Sequence, residues 1–466
     1  MKHDRFQKLR QQVMYGFELL FPEKFRENVL QALPFWVASL LAGLVAVGYA
    51  RLFGYAEQLS AYLFHSYKWS IFLLMPLCFS LAWWIVQWFA PNARGSGIPQ
   101  VMAAIDLSTP RQAAKVDKLL GFRIMVTKIA SSLVMVLGGA AVGREGPTIQ
   151  IAGSVFHLVN KWIPARWPRL ALQNFILTGA AAGLAAAFNT PLGGLVFAME
   201  ELARIHVKYF RTALFSAVII AGLTAQAILG PYLYLGYPDV GNLRFTVFFG
   251  VAATAVLGGL GGAAMCRIIL RAMKWRSRFN TPSKNLLFLA GAALLLAGVA
   301  FFLDHQVMGS GKEIMNKVLF TPDKSMEGQT VLWRIFGPVL CFITGGAGGV
   351  FAPALAAGAS IGAYVADLSG MTGATANILI LSGMVGFLTG VTRTPFTSAI
   401  LVLEMTDRHS VIFHLLLAAL AANLAALLVD GHSFYDQLKK GYLKDALGDG
   451  EQGNGEKAKE NRETEK

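Results

Sequence analysis

The stretch Ile71–Ala90 contains no charged residue, and neither does Phe245–Cys266. About 20 apolar residues in a helix span the hydrocarbon core of a bilayer, so each run is long enough to cross one. Phe35–Ala50 and Leu286–Leu303 repeat the pattern at shorter length. A chain built this way is no soluble globule. Composition agrees: 55% of the 466 residues are hydrophobic before 48 glycines are counted, and 15% are charged. Soluble domains reach only about 45–50% apolar with glycine included. The expected fold class is all-α, a polytopic membrane protein in which glycine lets helices approach closely and break within the bilayer. Cys78, Cys266 and Cys341 lie far apart in apolar or Gly-rich contexts and read as packing residues. Neither a disulfide framework nor a metal site is indicated, and the eight histidines show no metal-ligand spacing.

Other apolar segments are interrupted by Gly, Pro or a charge, around Lys128, Gly143–Pro147, Asn189–Pro191, Gly345–Pro353 and Arg393–Pro395. Broken helices are tolerated at membrane depth only inside protein or beside an aqueous cavity, which points to a transporter or channel rather than an enzyme. The formal charge of +14 then reads as basic cytoplasmic loops facing anionic lipid, not as nucleic-acid binding. Arg267–Lys284 holds six basic residues and no acid. That loop, the basic N-terminus and Leu202–Arg211 are expected in the cytoplasm. The N-terminus is too polar for a signal peptide. The expected organisation is a cytoplasmic segment over 1–33, a first membrane repeat over 34–211, a second over 212–442, and a disordered polar tail over 443–466.

The two halves resemble each other. Leu177–Glu200 aligns with Leu381–Glu404 through Gly179 and Gly383, Leu184 and Leu388, Thr190-Pro191 and Thr394-Pro395, and Glu200 and Glu404. Upstream, Gly143–Pro147 falls on Gly349–Pro353 and Lys128 on Arg334. Two halves of roughly 200 residues, each broken at matching places, predict a binding site at the repeat interface.

Three interruptions share a design: Gly95-Ser96-Gly97-Ile98-Pro99, Gly143-Arg144-Glu145-Gly146-Pro147 and Gly348-Gly349-Val350-Phe351-Ala352-Pro353. Each sets glycines before a proline and an apolar helical run. Proline suits the first helical turn, and the unpaired amides before it sit at the positive end of the helix dipole, a ready anion site. Amides hold an anion moderately enough to release it, as conduction demands.

Glu145 lies inside one interruption, and an ionisable residue at membrane depth is a functional candidate by default. Ionised, it competes with the anion; protonated, it loses that attraction, so one side chain couples protons to anion passage. The plainer alternative is a structural ion pair with Arg144. Glu200 and Glu201 end the apolar run Leu192–Met199 before Arg204, Lys208 and Arg211. An ordinary solvated helix end and a proton access point fit that pattern equally.

Two motifs fail. Gly309-Ser310-Gly311-Lys312 lacks the earlier glycine of a phosphate loop and is followed by Glu313 rather than Ser or Thr. Gly358-Ala359-Ser360-Ile361-Gly362 matches a serine nucleophile elbow by letter but sits in an apolar small-residue helix, which disfavours an intramembrane hydrolase using Ser360.

With GSGIP, GREGP, GGVFAP and the LVLEMT run at Leu401–Thr406 present in order, the sequence resembles the CLC family of chloride channels and chloride/proton antiporters. It is most similar to bacterial antiporters without CBS domains, from about Pro34 to Tyr442. The resemblance implies a homodimer of α-helical subunits in a bacterial inner membrane, termini cytoplasmic, each subunit an inverted repeat of broken, tilted helices with its own pore. It implies that Ser96 and Tyr435 ligate a central chloride by their hydroxyls, with the amides of Val350 and Phe351. An outer chloride would meet the amides of Arg144, Glu145, Gly146 and Ala352. Glu145 matches the external gating glutamate, Glu201 the internal proton-transfer glutamate, and Glu200 its neighbour. A carboxylate at Glu201 favours exchange over a passive chloride channel on the same fold, and Ser96 favours chloride over fluoride. Gln100 departs from the Glu common in bacterial members. Chloride and protons are the implied cargo, and no cofactor is expected.

Overall fold

The structure, a computed structural model, describes residues 23–164, 167, 170–202, 211–230, 233–241, 245–279 and 281–448. The basic segment at 203–210, the N-terminus before Glu23 and the tail beyond Gly448 lie outside the described residues.

The chain is all-α. Helices α1 (Glu23–Ser66), α2 (Ile71–Phe89), α3 (Ile98–Asp106), α4 (Phe122–Leu137), α5 (Glu145–Trp162), α6 (Leu172–Phe188) and α7 (Pro191–Phe197) come first, α7 running on as a π-turn over Ala198–Leu202. After them come α8 (Arg211–Leu229), α9 (Val247–Arg276), α10 (Pro282–Phe302), α11 (Lys312–Phe320) and α12 (Gly328–Ile343). Helices α13 (Phe351–Leu368), α14 (Gly373–Thr392), α15 (Pro395–Thr406), α16 (Ile412–Leu427) and α17 (Phe434–Leu447) complete the fold. Among the described residues, nine helical segments are long and apolar enough to cross a membrane, which makes this a multi-pass membrane protein.

Apolar character alone does not say which helices meet lipid; burial does. The most apolar part of α14 is 89% buried and that of α13 78%, against 33% for the segment carrying α2. On α2 the residues Leu73, Leu77 and Leu81 are exposed at four-residue spacing, as a lipid-facing stripe requires. The interior helices approach through small residues. A Cβ on Gly358 of α13 or Gly383 of α14 would run into the other's carbonyl. Small residues at such crossings let van der Waals packing hold helices together where lipid removes the hydrophobic drive.

The repeat is visible in the backbone. Asn189 ends α6 at φ 58° and Arg393 ends α14 at φ 62°, both left-handed caps. Thr-Pro then starts α7 and α15, with proline in the first turn.

Two expectations shift. The basic loop Arg267–Lys284 is helical as far as Arg276, because α9 continues beyond its apolar run. Cations suit the last turns of a helix, and Arg267 and Arg276 donate to the carbonyls of Val429 and Ile343. The N-terminal segment likewise has no break at Pro34, which lies within α1.

Candidate functional site

The three glycine-rich interruptions meet. Gly143 and Gly349 exchange backbone hydrogen bonds of 2.8 and 2.7 Å. Gly95 donates to Gly346 at 2.9 Å, and Gly348 donates back to Gly95 at 3.1 Å. Helices α3, α5 and α13 therefore start from one bonded cluster, their positive ends gathered together. Glycine is required here: Gly97 holds φ 113° against the Gly146 carbonyl, and a Cβ on Gly146 would strike Ser96 Oγ.

The first amide bonded back into α5 belongs to Thr148, and the first in α13 to Ala354. The amides of Glu145, Gly146, Val350, Phe351 and Ala352 are thus left without a helical partner. The Glu145 side chain is 1% exposed. Its carboxylate faces its own amide and that of Ala352, within the field of Arg144. Arg144 caps α5 and donates to the Ala50 carbonyl at 3.1 Å. One carboxylate therefore lies where two helix N-termini converge.

Below it, Ser96 and Tyr435 are buried and turn their hydroxyls toward each other. Neither Ser96 Oγ nor Tyr435 Oη makes a regular hydrogen bond among the described residues. Two buried hydroxyls left unsatisfied beside open amides are what a weakly hydrated anion would satisfy. The Tyr435 ring stacks on Phe351 at 6.3 Å and 12°, which fixes its direction.

A buried cation steadies this loop. Lys128 Nζ donates to the carbonyls of Ala93 at 2.7 Å and Gly95 at 2.8 Å. Its repeat mate Arg334 donates to Met308 at 2.9 Å and Gly309 at 3.2 Å, the loop before α11. Gly309-Ser310-Gly311 is therefore the counterpart of Gly95-Ser96-Gly97, with positive φ at all four glycines. The sequence signal was the repeated Gly-Ser-Gly itself, hidden by the unlike residue that follows.

The paired glutamates part company. Glu200 accepts from the amides of Phe396 at 3.2 Å and Thr397 at 2.7 Å, at the start of α15, and makes no bond to the glycine-rich amide cluster. Glu201, half-buried in the π-turn, lies within electrostatic reach of Tyr435. Ser360 sits in unbroken α13 and donates to the Ala356 carbonyl at 2.9 Å, so no nucleophile elbow exists.

On the other side of Glu145 opens a cavity of roughly 250 Å³ lined by Phe53, Glu57, Arg144, Tyr234, Ser310 and Lys312. No sequence pattern points to Glu57 or Tyr234, and Lys312 belongs only to the failed phosphate-loop match. They come from α1, the 233–241 segment and α11, and only folding brings them together.

Known proteins share this fold. The chain is 28% identical over 425 residues to the H(+)/Cl(-) exchange transporter ClcA of Salmonella arizonae, with 86% of each protein covered. A slow cyanobacterial Cl-/H+ antiporter of known structure superposes with TM-score 0.75 at 23% identity, over 88% of this chain and 97% of that one. A CLC-type fluoride/proton antiporter gives 0.72 at 20% identity, over 89% and 98%. Residues 78–427 match the family described as voltage gated chloride channel, and the chain belongs to that family.

Proposed function

We propose that the protein is a secondary active antiporter exchanging chloride for protons, with Glu145 as its gate. The observation that carries this reading is the carboxylate lying at the joint N-termini of α5 and α13. Ionised, it takes the place an anion would take; protonated, it loses its attraction to the amides and yields that place. Chloride is then held by the hydroxyls of Ser96 and Tyr435 and the amides of Val350 and Phe351. An outer chloride meets the amides of Arg144, Glu145, Gly146 and Ala352. Because amides rather than full charges make these contacts, release stays easy.

Glu201 passes protons between the cytoplasm and this cluster. Glu200 takes no part in that step, its carboxylate being engaged at α15. Relatives named as chloride/proton exchangers support the choice of cargo. The same reading makes the protein a homodimer in a bacterial inner membrane with cytoplasmic termini, working without a cofactor.

Purified protein in liposomes with opposed chloride and pH gradients tests the proposal. A chloride gradient is expected to drive protons uphill. A reversal potential indifferent to the pH gradient would select a passive chloride channel instead.

A further inference from the structure

Tyr234 Oη donates to Glu145 Oε1 at 3.4 Å. This phenol comes from neither broken helix but from the 233–241 segment between α8 and α9. Several contacts hold it. Its ring meets Phe188 edge-on at 5.0 Å and 84°. The neighbouring Leu235 amide donates to the Met405 carbonyl at 3.1 Å. Lys312 Nζ stands 4.7 Å from the ring centroid on the cavity side. The residue is 3% exposed and lines the cavity beside Glu145.

We infer that Tyr234 is a latch on the gate, a positioning residue whose hydroxyl holds the Glu145 carboxylate in its seat and sets how readily a proton displaces it. The inference rests on the reading of Glu145 as the gate. A hydroxyl donor strengthens when its acceptor is ionised and weakens when the acceptor is protonated. The latch therefore grips the seated, charged carboxylate and slackens on the neutral acid that must leave. The cation over the ring fixes the phenol from outside. The other ionisable groups around Glu145 are Arg144 on its own helix end, Tyr49 and Glu57 on α1, Lys312 on α11 and Tyr435 on α17. All of them remain in a Tyr234→Phe variant, which also keeps the ring and its packing.

The test compares wild type, Tyr234→Phe, Glu145→Gln and the double variant in liposomes, reading chloride flux against pH and the chloride-to-proton ratio. In Tyr234→Phe the pH of half-maximal flux is expected to rise by about half to one unit, because proton binding no longer competes with the phenol. The exchange ratio should stay that of wild type. Adding Tyr234→Phe to Glu145→Gln should change nothing. A single variant with an unshifted or downshifted profile overturns the latch. So does an equal change in the Glu145→Gln background, which would make the effect structural. Proton coupling that survives Glu145→Gln alone would instead fell the gate reading, a separate result.

Discussion

Glu200 and Glu404 cap each other's helices. Glu200 ends the α7 segment and accepts two amides at the start of α15; Glu404, near the end of α15, accepts those of Leu192 and Gly193 at the start of α7, at 3.0 and 2.6 Å. The two carboxylates are matched by the repeat, and each sits at the positive end of the helix bearing the other. The pair joins the halves symmetrically, away from the anion cluster.

Removing either cap should therefore cost stability and leave chemistry alone. Glu200→Ala and Glu404→Ala are each expected to lose about 0.5–2 kcal/mol, the usual cost of removing a helix cap. Thermal unfolding in detergent would show similar drops for both. An altered chloride-to-proton ratio in Glu200→Ala would return that residue to the proton path.

Glu145→Gln replaces the proposed gate by a neutral isostere of its protonated form. Chloride flux should persist while proton coupling is lost, and flux should no longer vary with pH. Liposome assays with a pH-sensitive dye decide this, since anion-driven proton pumping in the variant would remove Glu145 from the mechanism.

For Glu201→Gln the expected result is weakened or abolished proton movement with chloride flux retained. Glu201 lies near Tyr435, not at the amide cluster, so the anion path keeps its ligands. An unchanged exchange ratio would reduce Glu201 to a plain helix-end residue.

Lys128→Met strands the Ala93 carbonyl, at a cost of about 1–3 kcal/mol, and leaves the Gly95 carbonyl with the Gly348 amide alone. The loop bearing Ser96 should then loosen and chloride bind less tightly, by about tenfold for each 1.4 kcal/mol transmitted. Calorimetric titration with chloride measures this. Wild-type affinity in the variant would show that the loop holds its shape without the cation.

The sequence exposed the breaks because glycine and proline can hardly act otherwise at membrane depth, and the helix starts at Gly143–Pro147 and Gly348–Pro353 were legible for that reason. The residue pattern alone does not separate Glu200 from Glu201; only the family resemblance does. Adjacent residues on a helix face different ways, and the π-turn at Ala198–Leu202 decides which way. Arg267–Arg276 looked like a loop because charge marks the membrane boundary, whereas the helix runs past it. Tyr234 was invisible, since its contact with Glu145 spans 89 positions and no pattern announces it.

The paired backbone bonds between Gly143 and Gly349, with those between Gly95 and the 346–348 turn, stitch the two halves together. Under the proposed antiport, rocking one half against the other would have to break these bonds, whereas a turn of the Glu145 side chain would leave them whole. A covalent tether across that seam, clear of Glu145, should leave exchange running.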